Sequence, residues 1–102
     1  MERAIRNLAG PTIRKLRTEK NLSQADLAAK CQTIGWDISR DIVASIEDQS
    51  RAVTDSEIVL LAIALKVEAK VLLPTPKAVL SASPRITDAS DQKRKRRGWL
   101  GL

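Results

Sequence analysis

Histidine, phenylalanine and tyrosine are all absent from this chain of 102 residues, Cys31 is its one cysteine, and Trp36 and Trp99 are its two aromatic side chains. Each absence excludes something. Without histidine, the side chain that titrates near neutral pH is missing, and His-based catalysis and most metal chemistry go with it. A single cysteine forms neither an internal disulfide nor a cysteine zinc site. Four glycines are scattered along the chain, and none builds a phosphate-cradling loop. The longest apolar run, Ile58 to Leu65, is eight residues, far below the ~18 needed for a membrane span. The first residues lack the apolar stretch of a signal peptide. The expectation is a cytoplasmic protein that is not an enzyme, with no cofactor, no metal and no membrane partner.

What remains is ordinary in amount and unusual in kind. Apolar residues make up 43% of the chain, and with so few aromatics the core must be built from Leu, Ile, Val and Ala. No alternating apolar–polar run is bounded by hairpin turns, so the expected class is all-α. The net charge of +6 is unevenly spread. Residues 1–74 carry 11 basic and 10 acidic side chains; residues 75–102 carry 7 and 2. Within the first part, residues 1–46 lean basic and 47–74 lean acidic. One face of such a domain can still meet phosphate.

The chain opens with a short basic lead-in over residues 1–9, punctuated by Gly10-Pro11. Thr12 to Lys20 reads as a first helix, with Ile13 and Leu16 inward and Asn21 as its stop. Three further helix starts repeat one device. Ser23 caps the second helix, with Asp26 three residues on, and Leu22 can staple onto Leu27. Ser39 caps the third, with Ile38 and Val43 as staple. Thr54 caps the fourth, Glu57 completes a capping box, and Val53 can staple onto Ile58. The inward stripes are Leu27, Ala28, Cys31 and Ile34, then Val43 and Ile46, then Ile58, Leu61, Ala62 and Leu65. A short fifth helix over Glu68 to Leu73 ends before Pro74. Beyond it, residues 75–102 have few apolar side chains to bury and read as a flexible, mostly disordered basic tail ending in the run Lys93–Arg97.

Residues 10–74 resemble the helix-turn-helix domain of the phage-repressor/Cro-like (XRE) family. The resemblance is carried by Ile13-Arg14-Lys15-Leu16-Arg17, Leu22-Ser23-Gln24, Asp26-Leu27-Ala28, Ile38-Ser39-Arg40, Ile46-Glu47 and Leu61 to Val67. It covers roughly two-thirds of the chain. Each piece alone matches weakly; their order and spacing are specific. It implies a compact lambda-repressor-like bundle of four to five short helices whose third helix, about residues 40–48, enters the major groove of double-stranded DNA. The implied protein is a prokaryotic or phage-derived transcriptional repressor, acting as a homodimer. Val71, Leu72, Leu73, Val79 and Leu80 are apolar enough to form the dimer interface.

By the same resemblance, bases are read from the positions of Arg40, Asp41, Ile42 and Ser45. The chemistry agrees: arginine pairs with guanine O6 and N7, aspartate accepts from cytosine N4, and an apolar side chain meets a thymine methyl. A merely solvated helix start is the competing reading of Arg40 and Asp41. Phosphate contacts are implied for Gln24, at a helix start that attracts anions, for Ser39, and for Arg51 after the third helix. Arg17 and Glu47 match a structural pair joining the first helix to the end of the third.

Two departures stand out. Seven residues, Cys31 to Asp37, separate Lys30 from Ile38, about four more than the motif's tight turn. Four residues are about one helical turn, so the second helix is expected to reach about Ile34 with Gly35 as its cap. Trp36 then packs at the corner or contacts the DNA backbone. The glycine that often follows the third helix is missing, and Asp48-Gln49-Ser50 stands there. Cys31 falls on a core position, where a buried thiol is inert. The tail leaves a second reading open: an antitoxin, or another protein-interaction module on the same fold, whose tail binds a partner protein.

Overall fold

The computed structural model describes residues 4–86. Five α-helices follow one another: α1 Gly10–Glu19, α2 Gln24–Thr33, α3 Arg40–Glu47, α4 Asp55–Leu65 and α5 Pro76–Ile86, with a 3-10 turn at Ala69–Leu72 before the last. No strand occurs among the described residues. The all-α bundle expected from composition is what forms.

The helix starts obey the capping pattern. Ser23 Oγ accepts the Asp26 amide at 2.9 Å, and the Asp26 carboxylate accepts the Ser23 amide at 2.8 Å. Thr54 and Glu57 make the same reciprocal pair at α4, both bonds 3.1 Å. At α3, Ser39 Oγ accepts the Ile42 amide at 3.3 Å. Each such cap stabilises its helix by about 1 kcal/mol. The Asp26 carboxyl is held below its usual range, chiefly by the Ser23 amide and hydroxyl.

The helix ends share a second device. Asn21, Gly35, Gln49 and Lys66 have φ of 58°, 101°, 68° and 60°. Each puts one left-handed residue after its helix. The amide of the next residue then reaches five residues back: Leu22 to Arg17, Trp36 to Cys31, Ser50 to Ser45 and Val67 to Ala62, at 2.9–3.1 Å. This is the Schellman closure, which satisfies carbonyls left over at the helix end. It settles both departures. α2 does run to Thr33, with Ile34 as cap and Gly35 beyond it. After α3, Gln49 adopts the conformation a glycine would take at lower cost.

Fourteen apolar residues form one core, with Ile13, Leu27, Val43, Ile46, Leu61, Leu65 and Leu72 almost fully enclosed. α3 packs against both α1 and α2, which in turn rest on α4. Trp36 packs against this core, as do Leu16, Leu22 and Val53.

Several boundaries differ from the sequence reading. α1 begins at Gly10, not Thr12, because Pro11 falls in the first turn, where no amide hydrogen is needed. The fifth helix over Glu68 to Leu73 is a single 3-10 turn. Leu72 is 1% exposed and belongs to the core, so it cannot serve a dimer interface; Val71, Leu73, Val79 and Leu80 are 37–71% exposed. The stretch read as tail starts with α5, where Thr75 Oγ1 accepts the Ala78 amide at 3.1 Å and Pro76 opens the helix. The run Lys93–Arg97, and most of the tail proposed to bind a partner, lie outside the described residues.

Candidate nucleic-acid interface

α3 is short, and its two ends are treated differently. Val43, Ile46 and Glu47 are buried, which fixes the inward face. At the N-terminal turn Arg40 and Asp41 point into solvent, with side chains 61% and 82% exposed, and pair with each other at 3.1 Å. An ion pair this open contributes little, so a base edge can replace either partner cheaply. Arg40 is the sole basic side chain on α3. Ile42 lies half-buried against the core. The Ser45 hydroxyl donates back to the Asp41 carbonyl at 2.9 Å. Of the four expected base readers, then, Arg40 and Asp41 are presented outright; Ile42 and Ser45 sit lower, one in packing and one in a local bond. Ser39 spends its hydroxyl oxygen on the cap.

The C-terminal end of α3 is locked. Arg17 Nε and Nη2 donate to the two Glu47 carboxylate oxygens at 2.6 and 3.0 Å, and Nη1 donates to the Leu22 carbonyl at 2.7 Å. Gln24 Nε2 adds a bond to Glu47 Oε1 at 3.0 Å. Arg17 and Glu47 are 8% and 5% exposed. The bidentate contact with Glu47 raises the Arg17 pKa above its usual value, so Arg17 stays charged. α1, the start of α2 and the end of α3 are thereby joined through one carboxylate. Gln24 braces the end of α3 with its side chain. The backbone amides of Gln24 and Ala25 lie in the first turn of α2, where no helix carbonyl reaches them.

The loop after α3 is held from three sides. Arg51 Nη1 and Nη2 donate to Glu57 Oε1 and Oε2 at 3.1 and 3.2 Å, which holds the Glu57 carboxyl below its usual range. The expected phosphate-binding guanidinium is thus paired with the capping box of α4. Asn7 Nδ2 donates to the Ile46 and Arg51 carbonyls at 3.0 and 2.8 Å, while Asn7 Oδ1 accepts the Gly10 amide at 2.7 Å. Gly10 lies where α1 meets the end of α3: a Cβ there would collide with the Ile46 carbonyl oxygen and come within 2.8 Å of that of Glu47.

The sequence reading missed Asn7, the close approach at Gly10 and the Arg51–Glu57 pair. The signal for the first was available, since an Asn three residues before a Gly-Pro helix start is a turn-capping pattern. The other two depend on neighbours distant in sequence or already assigned another task.

A short helix anchored at one end by two preceding helices, with its first turn offered to solvent, defines a helix-turn-helix unit. A family model described as helix-turn-helix matches residues 13–72. The chain belongs to that family, in its XRE type. It is also similar to the crystal structure of hypothetical transcription factor NHTF from Neisseria, with 30% sequence identity and a TM-score of 0.60, over 76% of this chain and 83% of that one. No curated protein matches. The fold and family make this a DNA-binding transcription regulator of the XRE type. Among the described residues, no helix is long and apolar enough to cross a membrane.

Proposed function

We propose that the protein is a sequence-specific transcriptional repressor that binds as a homodimer to a two-fold symmetric site, with the first turn of α3 in the major groove. The supporting observation is the contrast within α3. Arg40 and Asp41 are open to solvent at one end, and the other end is fixed by the Arg17–Glu47–Gln24 network. Recognition requires both: groups free to meet base edges, and a helix that does not shift when they do.

In this reading Arg40 pairs with guanine O6 and N7, and Asp41 accepts from a neighbouring cytosine N4. Ile42 and Ser45 flank them and set the fit of the adjoining pairs. Gln24, through its backbone amide, and Ser39 sit at the starts of α2 and α3, where helix ends attract phosphate. Bulk charge plays a smaller part, because residues 1–74 are nearly neutral. Dimerisation follows from the small contact area of one module, and the exposed Val71, Leu73, Val79 and Leu80 are its candidate surface.

The test is selection of bound duplexes from a random pool, followed by affinity measurement. Arg40→Ala should weaken binding to the selected sequence by roughly 5- to 150-fold, the equivalent of one lost bidentate base contact. Affinity for random-sequence DNA should hardly change. A wild-type protein that enriches no sequence refutes the proposal. Repression is read separately, from a reporter carrying the selected site.

A further inference from the structure

The segment before α1 is stitched to the loop that follows α3. The Arg6 amide donates to the Gln49 carbonyl at 3.0 Å. Gln49 Nε2 returns a bond to the Asn7 carbonyl at 3.1 Å. Asn7 Nδ2 holds the carbonyls of Ile46 and Arg51, and its Oδ1 holds the amide of Gly10. Every polar side-chain atom of Asn7 is therefore used to fix the position of residues 6–7 against the exit of the recognition helix.

The consequence concerns which cation faces DNA there. The Ser50 amide is turned onto the Ser45 carbonyl and the Asp48 carboxylate, and the Ser50 hydroxyl onto the same two groups. Arg51 is held in a two-point pair with Glu57 and a third bond to the Ala52 carbonyl. The Glu57 carboxylate already offsets the Arg51 charge, so Arg51 offers an approaching phosphate less than an unpaired cation does. Arg6 sits beside the same loop, is exposed, and makes no ion pair with any described residue. We infer that Arg6 contacts a DNA backbone phosphate at the exit of α3, with Asn7 as the residue that positions it. The inference rests on the reading that α3 faces DNA. It turns residues 6–7 from a lead-in into part of the binding surface.

The experiment is a salt series of fluorescence anisotropy titrations on a mixed-sequence duplex and on a selected one. Arg6→Gln should make the negative slope of log affinity against log salt shallower by about 0.9, the value of one phosphate contact. The loss should be equal on both duplexes, since a phosphate contact carries no sequence information. Its melting temperature should match wild type. Asn7→Ala should make the slope shallower as well, and the Asn7→Ala/Arg6→Gln double variant should be no shallower than Arg6→Gln alone. A merely structural Asn7 would leave the slope alone. An unchanged slope in Arg6→Gln overturns the inference, as does loss of the slope increment in Arg51→Gln instead. Those outcomes differ from failure of the functional reading, in which wild type enriches no sequence from the random pool.

Discussion

Replacing Glu47 by Gln keeps the side chain's shape and removes its charge. What it leaves behind is the Arg17 guanidinium, 8% exposed, with its two-point anion gone. Removing one partner of a buried pair costs about 3–5 kcal/mol, most of it the unpaired charge that remains. A fold with about 80 ordered residues has roughly 4–12 kcal/mol in total, so the variant should forfeit a large part of it. At about 4–8 °C per kcal/mol, the melting temperature should fall by at least about 12 °C. Asp41→Asn is the internal comparison. It breaks the exposed Arg40–Asp41 pair, which should be worth no more than about 1 kcal/mol. The double variant Arg17→Met/Glu47→Leu should recover much of the loss, because no charge is then left buried. Urea denaturation in low and high salt reads all of this. Equal losses for Glu47→Gln and Asp41→Asn would mean that the Arg17–Glu47 network is not buried and tight.

Gly10→Ala places a methyl group on the Ile46 carbonyl oxygen; the helices must separate, at a cost of roughly 1–3 kcal/mol, measurable in the same titration. The Glu57 carboxyl is depressed, first by its hydrogen bond with Arg51. Its folded pKa thus lies below its unfolded one, and the unfolded state binds more protons between the two. The stability it contributes is present above the ordinary value of 4.5 and is lost as pH falls through the folded value. Glu57→Gln should therefore flatten the acid limb of a stability–pH curve and leave no such step there. Burial pushes the Cys31 thiol up to about 11, so at neutral pH it should resist a disulfide exchange reagent until the protein unfolds. Rapid labelling of native protein would contradict the packing at that site.

The helix starts were legible because capping is local chemistry. Ser23, Ser39 and Thr54 each act on an amide three residues away, and that spacing is visible in the chain. The extension of α2 was legible for a similar reason: Leu27 and Cys31 line its buried face and a glycine that can take positive φ follows, although Ile34, expected to continue that stripe inward, is 38% exposed, because it is already the cap beyond the last helical turn. Fold class followed from the same local patterns. Contacts across long separations were harder. The Arg17–Glu47 pair emerged through family resemblance, since nothing local joins residues thirty positions apart. Asn7 reaches 39 and 44 residues ahead, and no periodicity marks it. Gly10 reads as a break in the sequence and acts as a contact point in the fold. Arg51 shows why a site is less legible than a scaffold. Its position suited a phosphate, but whether its charge is free depends on Glu57, whose other task was already recognised. In α5, the polarity of Ser81 and Ser83 masked a helix that Thr75 and Pro76 start.

In the proposed complex, the first turn of α3 reads the major groove through Arg40. Methylation interference on a selected duplex tests it most directly, because guanine N7 lies in the major groove and adenine N3 in the minor. Methylation at guanine N7 in each half-site should block wild-type binding, and Arg40→Ala should lose sensitivity at one guanine per half-site. Interference confined to adenine N3, or a guanine pattern unchanged in Arg40→Ala, would contradict it.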